Sequence, residues 1–288
     1  DYLSYIIFPY DDVRLADGRY SYMPSHSKSI EEKQVEQIRQ LIRKTGLDEK
    51  GVELWITEWN NSISNRNYLN DSCFRAAYLV HKINKIGDQA DRIAVMCGSD
   101  WISSYMDTVG ILNGGIGLLS KDTIRKPAFY ALDFLNQMGD QVLARGEHYL
   151  VTKKYDGDLY VLCYFYSWFQ RSYFLQSEDV DLKKYRTIRF QDEKPLRLRI
   201  KLQNPGPAGS WIIKRETLNP EHGSVLDAWA DFDYDNDLGR KDVKYLDAVS
   251  TPALAQNSVT LSRESGAIEL EVILRPQELS LLHIFRKE

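Results

Sequence analysis

Cysteine is scarce in this chain: Cys73, Cys97 and Cys163 are the only three in 288 residues. They are odd in number, widely spaced and set in apolar stretches. That pattern excludes a disulfide framework and a cysteine metal site, and it predicts buried free thiols in a reducing, cytoplasmic compartment. A basic surplus is also lacking, with 37 Lys and Arg against 41 Asp and Glu, net charge −4 and pI near 5.8. The chain therefore carries no electrostatic footprint for binding nucleic acid by itself. No apolar run reaches the roughly 20 residues that a membrane-spanning helix needs. Repeats and low-complexity tracts are missing. So are the GxGxxG and Walker signatures that would turn the glycines of Asn113–Leu119 into a phosphate cradle; a tight turn is expected there instead. Asp231, Asp233, Asp235 and Asp237 alternate like a calcium loop but lack its glycine and terminal Glu, so they predict an exposed acidic loop. No metal and no cofactor is expected. The chain does not open on methionine: Asp1 falls inside a strand-like stretch, and a further segment upstream is expected.

Aromatic residues, by contrast, are plentiful, with 18 Tyr and 6 Trp, most of them expected in the core. The most informative stretch is Val52–Asn61, VELWITEWNN. Val52, Leu54 and Ile56 alternate with Glu53, Trp55 and Thr57, which is the period of a strand. The strand ends on Glu58. A carboxylate at the end of an apolar strand is costly to desolvate unless it has a partner or a task. The residues alone leave two readings open, a salt-bridged strand end or a working group.

Around this strand the chain alternates. Asp1–Pro9 reads as a buried strand and residues 10–28 as a polar, tyrosine-rich loop carrying His26. Ser29 to Glu32 has the form of a capping box, opening a helix with Val35, Ile38, Leu41 and Ile42 on one face and a stop at Gly46. Asn70 or Asp71 is expected to cap a second helix through Phe74, Ala77, Tyr78 and His81, ended by Gly87; mid-helix His81 is expected to be structural. Arg92–Cys97 is a third strand, and Pro127 begins a third helix closed near Gly139. After about Gly146 the period changes to two. Asp156-Gly157 marks a hairpin, Leu196–Leu202 and Ile268–Leu274 alternate apolar with polar, and Leu279–Phe285 closes the chain. This half reads as a β-sandwich.

The TEWN strand end, the loop through Ser62, Ser64, Asn65 and Arg66, then Asn70-Asp71-Ser72-Cys73 and a helix reading FRAAYLVHKI together resemble glycoside hydrolase family 39, the β-xylosidase and α-iduronidase family. Asn113–Leu119 is similar to its GG-x-GLL segment, Lys126–Leu132 to its KPA-[FY]-YAL helix, and Leu218–Ser224 with Trp229 to a segment of its C-terminal β domain, which makes His222 a structural residue. The form TEWN followed by SNRNYLNDSC is most similar to the variant of this domain fused to AraC-type transcription regulators.

The resemblance implies a fold and a site. The fold is α/β plus all-β: residues 1–146 as the C-terminal part of a (β/α)₈ barrel and residues 147–288 as a β-sandwich. Glu58 takes the role of the catalytic nucleophile, and Tyr5, Trp59, Asn60, Asp100 and Trp101 that of substrate-binding residues. The partners implied are a xyloside-like saccharide and the upstream half of the barrel. Three departures stand out. Ile6 occupies the position of the histidine in the D-F-[IV]-S-x-H strand, Met96 or a neighbour replaces the Trp of W-x-x-S-D, and the Asn-Glu pair that supplies the acid/base does not occur before Glu58. Two functions follow, a retaining β-glycosidase with its acid/base upstream of this chain, or a sugar-sensing module that kept the fold and lost catalysis.

Overall fold

The computed structural model describes residues 1–100, 110–175, 178–262 and 266–287. It is a mixed α/β structure with several sheets. The first part is built on a three-stranded parallel sheet in the order β1 (Tyr2–Ile7), β4 (Glu53–Trp59), β5 (Arg92–Val95). One face of this sheet is covered by α1 (Ile30–Lys44), α2 (Cys73–Ile86) and α3 (Pro127–Gln137). Leu54, Ile56 and Trp59 point into that layer, where Val35, Ile38 and Ile42 of α1 and Phe74, Ala77 and Tyr78 of α2 meet them. The other face carries Tyr2 stacked on Trp55 at 4.0 Å, and it is open to solvent.

Several local expectations change. Residues 10–28 are not all loop: β2 (Tyr10–Arg14) and β3 (Tyr20–Pro24) form a hairpin whose turn has Gly18 at φ +86°. Its tyrosines lie mostly on the surface, so no buried face announced the strands. Ser29 is the N-cap of α1 but makes no side-chain cap bond, and the Glu32 carboxylate pairs with Lys82 at 2.8 Å. Leu41 is exposed, one step off the stripe that buries Val35, Ile38 and Ile42. Neither Asn70 nor Asp71 caps α2; Ser72 does, accepting from Phe74 N, while Asn70 and Asp71 are drawn into buried polar contacts. Mid-helix His81 is buried, as expected.

The second part begins earlier than Gly146. β6 (Gln141–Gly146) already belongs to a six-stranded antiparallel sheet ordered β11 (Ala253–Leu261), β10 (Gly209–Leu218), β13 (Leu279–Arg286), β8 (Leu159–Tyr164), β7 (Tyr149–Lys153), β6. Asp156-Gly157 turns β7 into β8, with Gly157 at φ +99°. β9 (Leu196–Gln203) and β12 (Ala267–Leu274) form a two-stranded sheet facing the first. Leu196, Leu198, Ile200 and Leu202 of β9 meet Val161, Cys163, Ile213, Leu282 and Ile284 between the two layers. The opposite face of the large sheet, through Tyr160, Leu162, Tyr164, Leu279 and Leu281, joins the core of the first part. Short helices α4 (Leu182–Tyr185), α5 (Val225–Trp229) and α6 (Arg240–Val249) complete the chain. His222 lies exposed in a turn, its backbone bonded to that of Asn219. No helix among the described residues is long and apolar enough to cross a membrane.

Candidate active site

Strict alternation along β4 would send Glu58 to the same side as Leu54 and Ile56, into the core. The register prevents this. On β1, Tyr5 pairs with Ile56 but the next residue, Ile6, pairs with Glu58. On β5, Ile93 pairs with Ile56 and Val95 with Trp59, two steps against three. Both neighbours therefore see one extra residue in β4, a bulge at Thr57-Glu58. The bulge returns Trp59 to the core and leaves Thr57 and Glu58 on the open face. Thr57 Oγ1 is held there by Ser4 Oγ at 2.8 Å. The Glu58 side chain is half-buried, and among the described residues no hydrogen bond or ion pair engages its carboxylate. The C-terminal ends of parallel strands are where such sheets place their ligand sites.

The other expected site residues separate into groups. Trp59 is fully buried, its indole N–H donating to Glu31 Oε1 at 2.8 Å. Asn60 is also fully buried, and its amide donates to the Ser62 carbonyl at 2.8 Å. Both lie behind the strand end, packed into the protein. Tyr5 shares the face of Ile56 and lines a cavity of about 590 Å³ with Phe8, Tyr22, Gln34 and Gln37, between β1, the hairpin and α1. Trp101 lies outside the described residues.

Asp100 is buried and committed. Its Oδ1 accepts Gly117 N at 2.8 Å and its Oδ2 pairs with Lys126 at 2.7 Å. Lys126, itself fully buried, also pairs with Asp71 at 2.5 Å and donates to Gly115 O at 2.8 Å. Burial pushes the Asp71 carboxyl up to about 6 against the pull of Lys126, and neighbouring Asp100 adds to the rise. Arg75 completes the cluster, donating to the carbonyls of Met96, Ile116 and Gly117; burial pulls its guanidinium down to about 10. The glycines explain themselves here. A Cβ on Gly115 would collide with the Asp100 carboxylate, and one on Gly117 with the Asp100 backbone. Gly114, at φ +75°, packs on the backbone of Asn67. The Gly-rich turn closes over an acidic side chain, so no phosphate reading is needed.

Sequence reasoning missed the residues that hold this arrangement: Glu31, Arg75, Lys82, Lys126 and Glu178. The signal for two of them was present, since Arg75 and Lys82 share α2 with the apolar stripe of Phe74, Ala77 and Tyr78. Glu178 had none: its Oε1 accepts Ser62 Oγ at 2.9 Å and Ile63 N at 3.1 Å, pinning the loop after Glu58 from more than 110 residues away. Burial raises the Glu178 carboxyl.

The family model for glycosyl hydrolases family 39 matches residues 2–266. The chain belongs to this family. Among curated proteins, a β-xylosidase from Geobacillus stearothermophilus is 26% identical over 254 residues, which cover 87% of this chain and 44% of that protein. The solved family 39 enzyme from Xanthomonas axonopodis pv. citri has a TM-score of 0.79 at 19% identity, covering 100% of this chain and 55% of its own. A monomeric β-xylosidase from Caulobacter crescentus CB15 also gives 0.79 at 19% identity, covering 100% and 56%. The structural likenesses speak to the fold, and the chain spans about half the length of the proteins it matches.

Proposed function

We propose that this chain is the C-terminal part of a β-xylosidase-like retaining glycosidase, with Glu58 as its nucleophile. The observation that carries the reading is the bulge at Thr57-Glu58, which turns a carboxylate without a partner among the described residues onto the open face at the end of a parallel sheet. In this reading the sheet β1-β4-β5 is part of a (β/α)₈ barrel, and the layers from Gln141 onward form a β-sandwich. The unpaired edge of β1, flanked by exposed Tyr5, Ile6, Tyr22 and Met23, receives the upstream half of the barrel.

The chemistry follows from the carboxylate. Glu58 Oε attacks the anomeric carbon of a xyloside-like sugar, forming a glycosyl ester as the bond to the leaving oxygen breaks. A second carboxyl group about 5 Å away protonates that oxygen and then removes a proton from the water that hydrolyses the ester. Asp100, the described acid beyond β5, is bound by Lys126 and Gly117 N–H; in this reading the acid/base is the glutamate of the family's Asn-Glu pair, upstream of Asp1. In the full-length polypeptide, an aryl β-xyloside should be hydrolysed and Glu58→Ala should abolish turnover; undiminished hydrolysis by that variant would reject the assignment.

One observation favours a second reading. Ile6, directly beside Glu58 and 52% exposed, places an apolar side chain where the family pattern has a histidine. A sugar-sensing effector half of an AraC-type regulator would tolerate that change. It predicts saccharide binding by calorimetry with no turnover.

A further inference from the structure

Glu31 lies in the first turn of α1, fully buried, and far from the open face. Its carboxylate nevertheless gathers three groups. Oε1 accepts the Trp59 indole N–H at 2.8 Å and the Tyr78 hydroxyl; Oε2 pairs with Lys82 Nζ at 2.9 Å. The Tyr78 hydroxyl also lies 3.2 Å from the Asn60 carbonyl. Thus the two residues that follow Glu58 are both tied to one anionic centre, and Lys82 is shared with Glu32 at 2.8 Å. A charge so deeply buried is costly unless it is paired and hydrogen-bonded. A leucine at position 31 and a phenylalanine at position 59 would fill an ordinary core.

The consequence lies in the register. Side chains alternate along a strand, so a one-residue slip exchanges its two faces. Glu58 points outward only while Trp59 points inward, and the bulge makes both possible. We infer that Glu31 is a positioning residue: through the Trp59 indole it locks the phase of β4 beyond the bulge and so aims the Glu58 carboxylate at the substrate. This inference rests on the assignment of Glu58 as nucleophile.

The test uses the full-length protein and a 2,4-dinitrophenyl 2-deoxy-2-fluoro-β-xyloside. With this reagent, Glu58 Oε bonds to the anomeric carbon and dinitrophenolate leaves without needing an acid. Its rate therefore reports nucleophile placement independently of the acid/base. Mass spectrometry locates the label and the phenolate release gives the rate. Trp59→Phe removes the indole donor, and Glu31→Gln weakens the same bond by taking away the charge that strengthens its acceptor. Both are expected to slow labelling by about 10- to 100-fold, the scale of a small misplacement of a reacting group. The double variant should be no slower than the slower single one, since both act through one bond. Val161→Ala, a cavity in the core between the two β layers, should lower Tm but leave the labelling rate unchanged. Labelling at the wild-type rate in Trp59→Phe and Glu31→Gln overturns the inference, as does an equal slowing in Val161→Ala. Failure of the wild type to label at Glu58 overturns the nucleophile assignment, and the inference falls with it.

Discussion

Ile6 and Glu58 are register partners on adjacent parallel strands, both turned to the open face. A methyl-rich side chain beside a carboxylate offers a sugar hydroxyl nothing to bond. Ile6→His supplies a donor at the position where the family pattern has one. A hydrogen bond is worth about 1 kcal/mol net, so if Glu58 is the nucleophile of a glycosidase, the variant of the full-length protein should gain about five- to tenfold in kcat/KM on an aryl β-xyloside. An unchanged or lower value would mean that the sugar does not reach this edge of the sheet.

Glu58→Ala leaves room beside the anomeric carbon. If Glu58 is the nucleophile, added azide should restore release of an activated aryl leaving group, because azide attacks the anomeric carbon directly as that group departs. The expected product is the glycosyl azide of inverted configuration, read by NMR. Recovery of free sugar alone, with no azide adduct, would assign Glu58 another role.

Lys126 is the cation between Asp71 and Asp100. Lys126→Met leaves two buried carboxylates facing each other and should destabilise the fold by about 3–5 kcal/mol in denaturant titration, the range for breaking a buried pair. The pH sign follows from Asp71. Its carboxyl already stands at about 6 in the folded protein against 3.8 for the free group, and burial is the main cause. Losing Lys126 raises it further. A raised carboxyl is favourable below its unfolded value and loses that stability as pH climbs through the folded one. The deficit of the variant should therefore be smaller at pH 5 than at pH 7.5.

Gly117→Ala should be destabilising by about 1–3 kcal/mol, since the new methyl meets the Asp100 backbone rather than a yielding side chain. Gly18→Ala has open space around it and carries only the strain of its φ of +86°. Thermal unfolding of the two variants should rank Gly117→Ala below Gly18→Ala.

His81 is buried, its ring 4.7 Å from that of Tyr166. Burial is the main reason its imidazole falls to about 2, with Lys28, Lys82 and Lys85 adding to the drop. Between that value and the unfolded 6.5, the unfolded chain binds the proton and the folded one does not, so stability falls as pH drops below 6.5. His81→Phe removes this contribution. The difference in unfolding free energy between wild type and variant should shift in favour of the variant from pH 7 to pH 4; a constant difference would show that His81 is protonated in the folded protein.

Local periodicity settled much of the fold in advance. The period of two through Leu196–Leu202 and Ile268–Leu274 gave both strands of the small sheet, and Asp156-Gly157 gave its hairpin neighbour in the large one. The TEWN end of β4 singled out Glu58. What the chain order concealed was how polar residues would be used. Trp59 and Asn60 look like site residues because they adjoin Glu58, yet a strand shows successive side chains to opposite faces, and Trp59 belongs to the core. Asp100 looks like a strand-end acid, and Lys126 answers it from 26 residues downstream.

The sequence by itself determined the family, the strand and helix periods, and the carboxylate at the end of β4, because each is written in neighbouring residues. Only the tertiary structure decided where that carboxylate points. The bulge at Thr57-Glu58 exists because β1 and β5 fix the register on either side and Glu31, 28 residues earlier in the chain, claims the Trp59 indole. Register and buried ion pairing depend on partners brought together by folding, and no local pattern carries them.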